Sequence, residues 1–165
     1  MVDKFFFNTN ACYVLFKIIE VKIEETKFIY DFLFSNIYDI SIHETGCSSV
    51  QKIIEISPIE TKNNLIGKIT SMTNILVNEK HGSYVLLKVI SLKNDDYIEA
   101  IMNQILNQNN IKTLFKSKIS SNVLEKCMEK SNRNIVSQIY AKIKNKTCLL
   151  ELILNPQGFY GKSLI

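Results

Sequence analysis

The sequence is short of what most molecular roles require. Arg133 is the only arginine among 20 basic residues, and there are just two histidines and five scattered glycines. Without a Ser/Cys–His arrangement or a glycine-rich phosphate loop, no enzymatic activity is expected. The four cysteines, Cys12, Cys47, Cys127 and Cys148, show no C-x-x-C spacing and no adjacent histidine. That argues against zinc, and no metal or other cofactor is expected. In a chain with no secretory signal they read as reduced thiols. No apolar run approaches the roughly 18 residues of a membrane span. The best candidate, Phe28 to Ile40, is interrupted by Asp31 and Asp39. Phe5-Phe6-Phe7 is too short for a signal core, and polar residues follow it at once. The expectation is a soluble cytoplasmic protein with no membrane partner and no small-molecule substrate.

With two prolines, 46% apolar and 22% charged residues, the chain is neither disordered nor collagen-like. Its 165 residues are enough to bury a core without disulfides or metal. A formal charge of +4 neither proves nor excludes a nucleic-acid partner. The abundance of Ile, Asn and Lys beside a lone arginine points to compositional bias of the genome rather than to selection at sites.

What is present is a repeat. Ala11-Cys12-Tyr13-Val14-Leu15-Phe16-Lys17 returns as Gly46-Cys47-Ser48-Ser49-Val50-Gln51-Lys52, as Gly82-Ser83-Tyr84-Val85-Leu86-Leu87-Lys88 and as Ser120-Ser121-Asn122-Val123-Leu124-Glu125-Lys126. A worn fifth copy is Gly158-Phe159-Tyr160-Gly161-Lys162-Ser163. Starts at Cys12, Cys47, Ser83, Ser121 and Phe159 lie 35, 36, 38 and 38 residues apart, within the range of helical repeat arrays.

The intervening segments agree with that reading. Lys27 to Ser41 spaces Phe28, Ile29, Phe32, Leu33, Ile37 and Ile40 helically. Leu65 to Val77, Tyr97 to Leu106 and Asn134 to Leu154 read likewise, with breaks at Ser57-Pro58, Lys93 to Asp96 and Asn155-Pro156. No stretch shows strand alternation with hairpin signals. The expected fold is an all-α solenoid, one domain over residues 1–165, with two or three helices per unit and one copy of the segment opening a helix.

On a helix the first, second and fifth residues of the segment share a face. Stacked units would line these faces up about 8–10 Å apart. A row of variable triads on a regular lattice suits a regular ligand, and single-stranded RNA offers one flat base per step.

At this level of detail the residues carry a family resemblance. Gly46 to Gln51, His81-Gly82-Ser83-Tyr84-Val85 and above all Ser121-Asn122-Val123-Leu124-Glu125-Lys126-Cys127 resemble Pumilio-family (PUF) repeats, the last closely matching the family's S-N-V-V-E-K-C. The order of units is similar to the family's fourth to eighth repeats. The resemblance implies a right-handed superhelix of about five repeats. It also implies sequence-specific binding of single-stranded RNA in 3′ untranslated regions, and post-transcriptional repression with decay or translational-repressor proteins as partners. In the family the first and fifth residues read a base edge and the second stacks. Carried over, Cys47 and Gln51 read adenine, and Ser121 and Glu125 read guanine. Ser83 stands at a first position, and Tyr13, Ser48, Tyr84, Asn122 and Tyr160 are stacking residues. A base on an aromatic ring gains about 1–3 kcal/mol; Ser48 departs from the pattern and would stack poorly.

Phe16 and Leu87 occupy fifth positions and cannot hydrogen-bond a base, and Phe159 with Ser163 is no recognisable code. With RNA antiparallel to the units, the 5′ to 3′ reading is unread, G, unread, A, unread, which agrees with a degenerate UGUA preference. Lys17, Lys52, Lys88 and Lys126 each follow the segment directly and are candidate phosphate contacts. A solvated helix edge explains the lysines equally well. Beside Phe16, Cys12 reads as packing, and Cys127 and Cys148 as core. His43 and His81 read as loop residues. A reading from another class also stands: a worn helical repeat kept as a protein-interaction scaffold. The first unit is expected to lack its leading helix. Phe5-Phe6-Phe7 and Leu164-Ile165 are expected to be exposed, or to pack against chain outside this sequence.

Overall fold

The computed structural model describes residues 3–21, 24–107 and 116–144. Eleven helices and one 3-10 turn make up the described residues. They are α1 (Asp3–Phe7), α2 (Thr9–Val21), the turn Glu24–Thr26, α3 (Lys27–Ser35), α4 (Ile37–Ile42), α5 (Glu44–Ile56), α6 (Ile59–Ser71), α7 (Thr73–Leu76), α8 (Lys80–Ser91), α9 (Asp95–Leu106), α10 (Lys118–Lys130) and α11 (Arg133–Lys144). The fifth segment, with Phe159, Tyr160 and Ser163, lies outside the described residues, as do Cys148, Asn155-Pro156 and Leu164-Ile165.

Local chemistry sets the helix ends. Asn8 Oδ1 accepts from the backbone N–H groups of Asn10 and Ala11, opening α2. Ser117 and Asn94 cap α10 and α9 in the same way. His43 caps α5, its Nδ1 accepting from Thr45 and Gly46, so it has a structural role the sequence did not disclose. His81, expected in a loop, is the second residue of α8. α5 stops where Ser57 turns extended before Pro58, which disfavours helical backbone in the preceding residue.

Two expected helices are each two. Lys27 to Ser41 breaks at Asn36, whose side-chain amide donates to the Phe32 carbonyl at 2.9 Å and competes with the helical ladder. Leu65 to Val77 breaks at Met72. Apolar spacing could not reveal these bends, because Ile37, Ile40 and Leu76 beyond them enter the same core.

The helices stack in rows. α2, α5, α8 and α10 pack successively side by side, and α6, α9 and α11 form a second row. The short helices α1, α4 and α7 each lead into a member of the first row; α1 and α4 also lean on the next member of that row. Bonds between units recur at near-repeat spacing: Tyr97 Oη donates to Asn63 Oδ1 at 2.7 Å and Asn132 Nδ2 to Asp95 Oδ2 at 2.6 Å. Where α4 and α7 meet the first row, small residues are needed. A Cβ on Gly46 would lie 2.3 Å from the Ile40 carbonyl oxygen, and one on Gly82 3.0 Å from that of Leu76.

A single core of isoleucine, leucine and valine runs through the stack, with Val50, Ile53, Leu65, Val85, Val89, Ile101 and Val123 wholly buried. The first unit differs from expectation at its start. The five-residue α1 leads into α2, and Phe6 is fully buried and stacked on Phe32 at 5.6 Å. Phe5 and Phe7 are half-buried against the same core. Aromatic area of this size is withdrawn from water wherever a neighbouring helix offers cover.

Candidate nucleic-acid interface

Each described copy of the segment sits in the same register. Cys12, Cys47, Ser83 and Ser121 are each the fourth residue of their helix, in α2, α5, α8 and α10. All four are buried, and each donates to the carbonyl three residues back: Cys12 to Thr9, Cys47 to Glu44 at 3.2 Å, Ser83 to Lys80 at 2.7 Å and Ser121 to Lys118 at 3.2 Å. Such a bond fixes the rotamer and leaves each first-position side chain small and recessed at the floor of the row.

The second positions stand out from that floor. Tyr13 is 65% exposed and Tyr84 44%, and Ser48 and Asn122 are exposed too. One turn on, Gln51 and Glu125 are half-buried, with the Gln51 amide donating to the Cys47 carbonyl at 3.2 Å. Leu87 is half-buried and Phe16 buried, its ring edge-on to Tyr13 at 6.2 Å. The polar fifth positions therefore remain at the surface, while Phe16 has been drawn into the packing.

Clefts open between successive members of the row. One of about 960 Å³ lies between α2 and α5, with Tyr13, Phe16 and Lys17 on one wall and Thr45, Ser48 and Lys52 on the other. A second, of about 440 Å³, lies between α8 and α10 and brings together Ser83, Tyr84, Ser121, Asn122 and Glu125. The structure thus joins Tyr13 with Ser48, and Ser83 and Tyr84 with Ser121, Asn122 and Glu125, in shared cavities, whereas Cys47 and Gln51 line neither cleft. Between α5 and α8, the His81 Nδ1 lies 4.0 Å from the Cys47 sulfur and its ring is edge-on to Tyr84. Sequence reasoning missed His81. Its position two residues before Ser83, equivalent to Thr45 and Ile119 in the cleft walls, was the available signal.

The four in-register lysines form an ion-pair ladder. Lys17 meets Glu20 at 2.7 Å and Lys52 meets Glu55 at 3.2 Å; Lys88 reaches back across the unit boundary to Glu55, and Lys126 pairs with Glu129. Lys130 also joins Glu129, at 2.7 Å. Hydrogen bonds from Lys126 and then Lys130 hold the Glu129 carboxyl down at about 2. Lys88, then Lys52, lowers Glu55, and Lys17 lowers Glu20. Burial has the opposite effect on two thiols, pushing up Cys47 in the floor and Cys127 in the core. Among the described residues no group of three or more His, Cys, Asp or Glu could hold a metal ion. No described helix is long and apolar enough to cross a membrane.

Comparison with known proteins places this geometry. The sequence model of the Pumilio-family RNA-binding repeat matches residues 36–70, 76–106 and 116–144. A Pumilio domain-containing protein of Schizosaccharomyces pombe is 29% identical over 130 residues, covering 79% of this chain and 19% of that protein. Pumilio homolog 12 of Arabidopsis thaliana is 28% identical over 134 residues, covering 81% of this chain and 22% of that protein. The chain therefore spans about a fifth of the length of these curated relatives. Among solved structures, the Puf4 RNA-binding domain bound to the HO endonuclease RNA 3′ UTR recognition sequence superposes with a TM-score of 0.82. It is 24% identical, and the match covers 99% of this chain and 51% of that one. PUF-8 in complex with PBE-RNA gives a TM-score of 0.73 at 28% identity over 86% of this chain and 42% of that one. The fold is the right-handed all-α solenoid that the sequence implied. Matched through three consecutive units over more than half its length, the chain belongs to the Pumilio family of RNA-binding repeat proteins.

Proposed function

We infer that this chain binds single-stranded RNA along the row α2, α5, α8 and α10, as a partial Pumilio-homology domain over residues 1–165. The observation that carries the reading is the common register. A recessed first position and an exposed second position recur at one height on α2, α5, α8 and α10, with a polar fifth position on α5 and α10. Glu125 beside Ser121 offers a carboxylate to the ring and exocyclic N–H groups of guanine. Gln51 beside Cys47 offers an amide to adenine. Tyr84 and Asn122 flank the guanine step, and Ser48 and Tyr84 flank the adenine step. Tyr13 and Tyr160 take the outer steps. The resulting preference is UGUA-like, and its biological setting is repression of mRNA through 3′ untranslated regions in the cytoplasm, with decay or translational-repressor proteins as partners.

Fluorescence anisotropy with labelled UGUA RNA and its ACUA variant tests this. A hydrogen bond to a charged group contributes about 1.5–3 kcal/mol, so loss of the guanine should weaken binding roughly ten- to hundredfold. Glu125→Gln should compress that ratio while leaving the folded structure unchanged. The scaffold reading draws support from Phe16 and Leu87, two of four described fifth positions that cannot read a base. Equal and negligible binding of both RNAs would favour it.

A further inference from the structure

We propose that the phosphodiester backbone of the RNA is gripped by Lys80 and Lys118, which flank the cleft between α8 and α10. This inference rests on the RNA-binding reading and assigns a role that the repeated segment does not contain. Lys80 and Lys118 are the first residues of α8 and α10. Each lies three residues before a first position and four before a stacking position, one helical turn above both. Both side chains line the 440 Å³ cleft that holds Tyr84, Asn122 and Glu125. Both are exposed, and neither has an ion pair among the described residues.

The contrast with the in-register lysines decides the assignment. Lys17, Lys52, Lys88 and Lys126 already share their charge with Glu20, Glu55 and Glu129. An ammonium neutralised by a carboxylate must give up that partner before it displaces a condensed counterion, so it adds little to salt-dependent binding. The equivalents of Lys80 and Lys118 in the first two units are Thr9 and Glu44, which line the cleft between α2 and α5 beside Glu20. Of these two clefts, the one between α8 and α10 is therefore the one whose lysines are free to meet a phosphate. With RNA antiparallel to the units, this is the guanine side of the motif.

The test is the salt dependence of binding to fluorescein-labelled UGUA RNA. For single strands, each lost phosphate contact flattens the slope of log K against log salt by about 0.7. Lys80→Gln with Lys118→Gln should flatten it by about 1.4, with the UGUA-to-ACUA ratio and the melting temperature unchanged. The control removes whole ladder pairs: Lys17→Gln with Glu20→Gln, and Lys126→Gln with Glu129→Gln. Its slope should match that of the wild type. If the Lys80/Lys118 double variant keeps the wild-type slope, or the ladder control flattens it equally, the grip lies elsewhere. If the wild-type chain binds no RNA at any salt, the RNA-binding reading falls and this inference with it.

Discussion

Replacing the three described glycines of the helical row and its neighbours with alanine separates two opposed effects. Alanine is better than glycine inside a helix by about 1 kcal/mol. At Gly67, in α6, a Cβ would meet nothing within 4 Å, so Gly67→Ala should realise that gain, about 0.5–1 kcal/mol. At Gly46 the same Cβ would stand 2.3 Å from the Ile40 carbonyl oxygen, a backbone atom with no rotamer to change. Relief requires α4 to move off α5 by about an ångström, and overpacking of this kind costs about 1–3 kcal/mol. A backbone clash belongs at the upper end, leaving a net loss of about 2 kcal/mol after the helical gain. Gly82, at 3.0 Å from a flexible Leu76 methyl and the Leu76 carbonyl oxygen, should fall between them. The two extremes then differ by about 3 kcal/mol, roughly 6–12 °C in melting temperature for a chain of this size. Urea unfolding followed by far-UV circular dichroism measures the order directly. A Gly46→Ala protein as stable as Gly67→Ala would refute the claim that the approach of α4 dictates the residue before Cys47.

Two further expectations concern buried and paired groups. The Ser41 hydroxyl on α4 is fully buried with no hydrogen-bond partner among the described residues, so Ser41→Ala should raise stability by about 1 kcal/mol, read from the urea midpoint. Glu129 titrates near 2 in the folded chain against an ordinary 4.5, so its pairing favours the native state above pH 4.5 and this contribution fades as pH falls toward 2. Carboxyl NMR titration should find this low midpoint, and Lys126→Gln with Lys130→Gln should return it toward the ordinary value.

Much of this molecule is legible in its sequence because both fold and site share one period. The spacing of Cys12, Cys47, Ser83 and Ser121 fixed where the first-row helices open, and each does so three residues upstream. The bends at Asn36 and Met72 were not legible, since burial of Ile37, Ile40 and Leu76 continues the helical apolar pattern across them. Nor was the fate of the four lysines. Glu20, Glu55 and Glu129 lie three residues after Lys17, Lys52 and Lys126, outside the repeated segment. The missing member is informative: Ser91 stands where the third unit would have its acid, and Lys88 crosses to Glu55 instead.

The two units with apolar fifth positions also bear on how the others would read. Phe16 is buried, and withdrawing a phenylalanine side chain from water stabilises by about 1.5–3 kcal/mol. A glutamine or glutamate there would keep its polar end at the surface and forgo most of that. On the proposed RNA-binding reading, an unread first unit is thus coupled to a gain in packing, which needs no RNA to sustain it. The third unit differs: Leu87 is only half-buried, while Val85, Leu86, Val89 and Ile90 carry the core of α8. If the row binds RNA as proposed, the contribution of this unit is spacing. α8 holds α5 and α10 two helix separations apart, about 16–20 Å, and supplies Tyr84 to the steps on either side. Gln51 and Glu125 can then engage bases two nucleotides apart but not adjacent ones. An RNA with guanine and adenine moved next to each other should lose one of the two contacts, even though both bases are present.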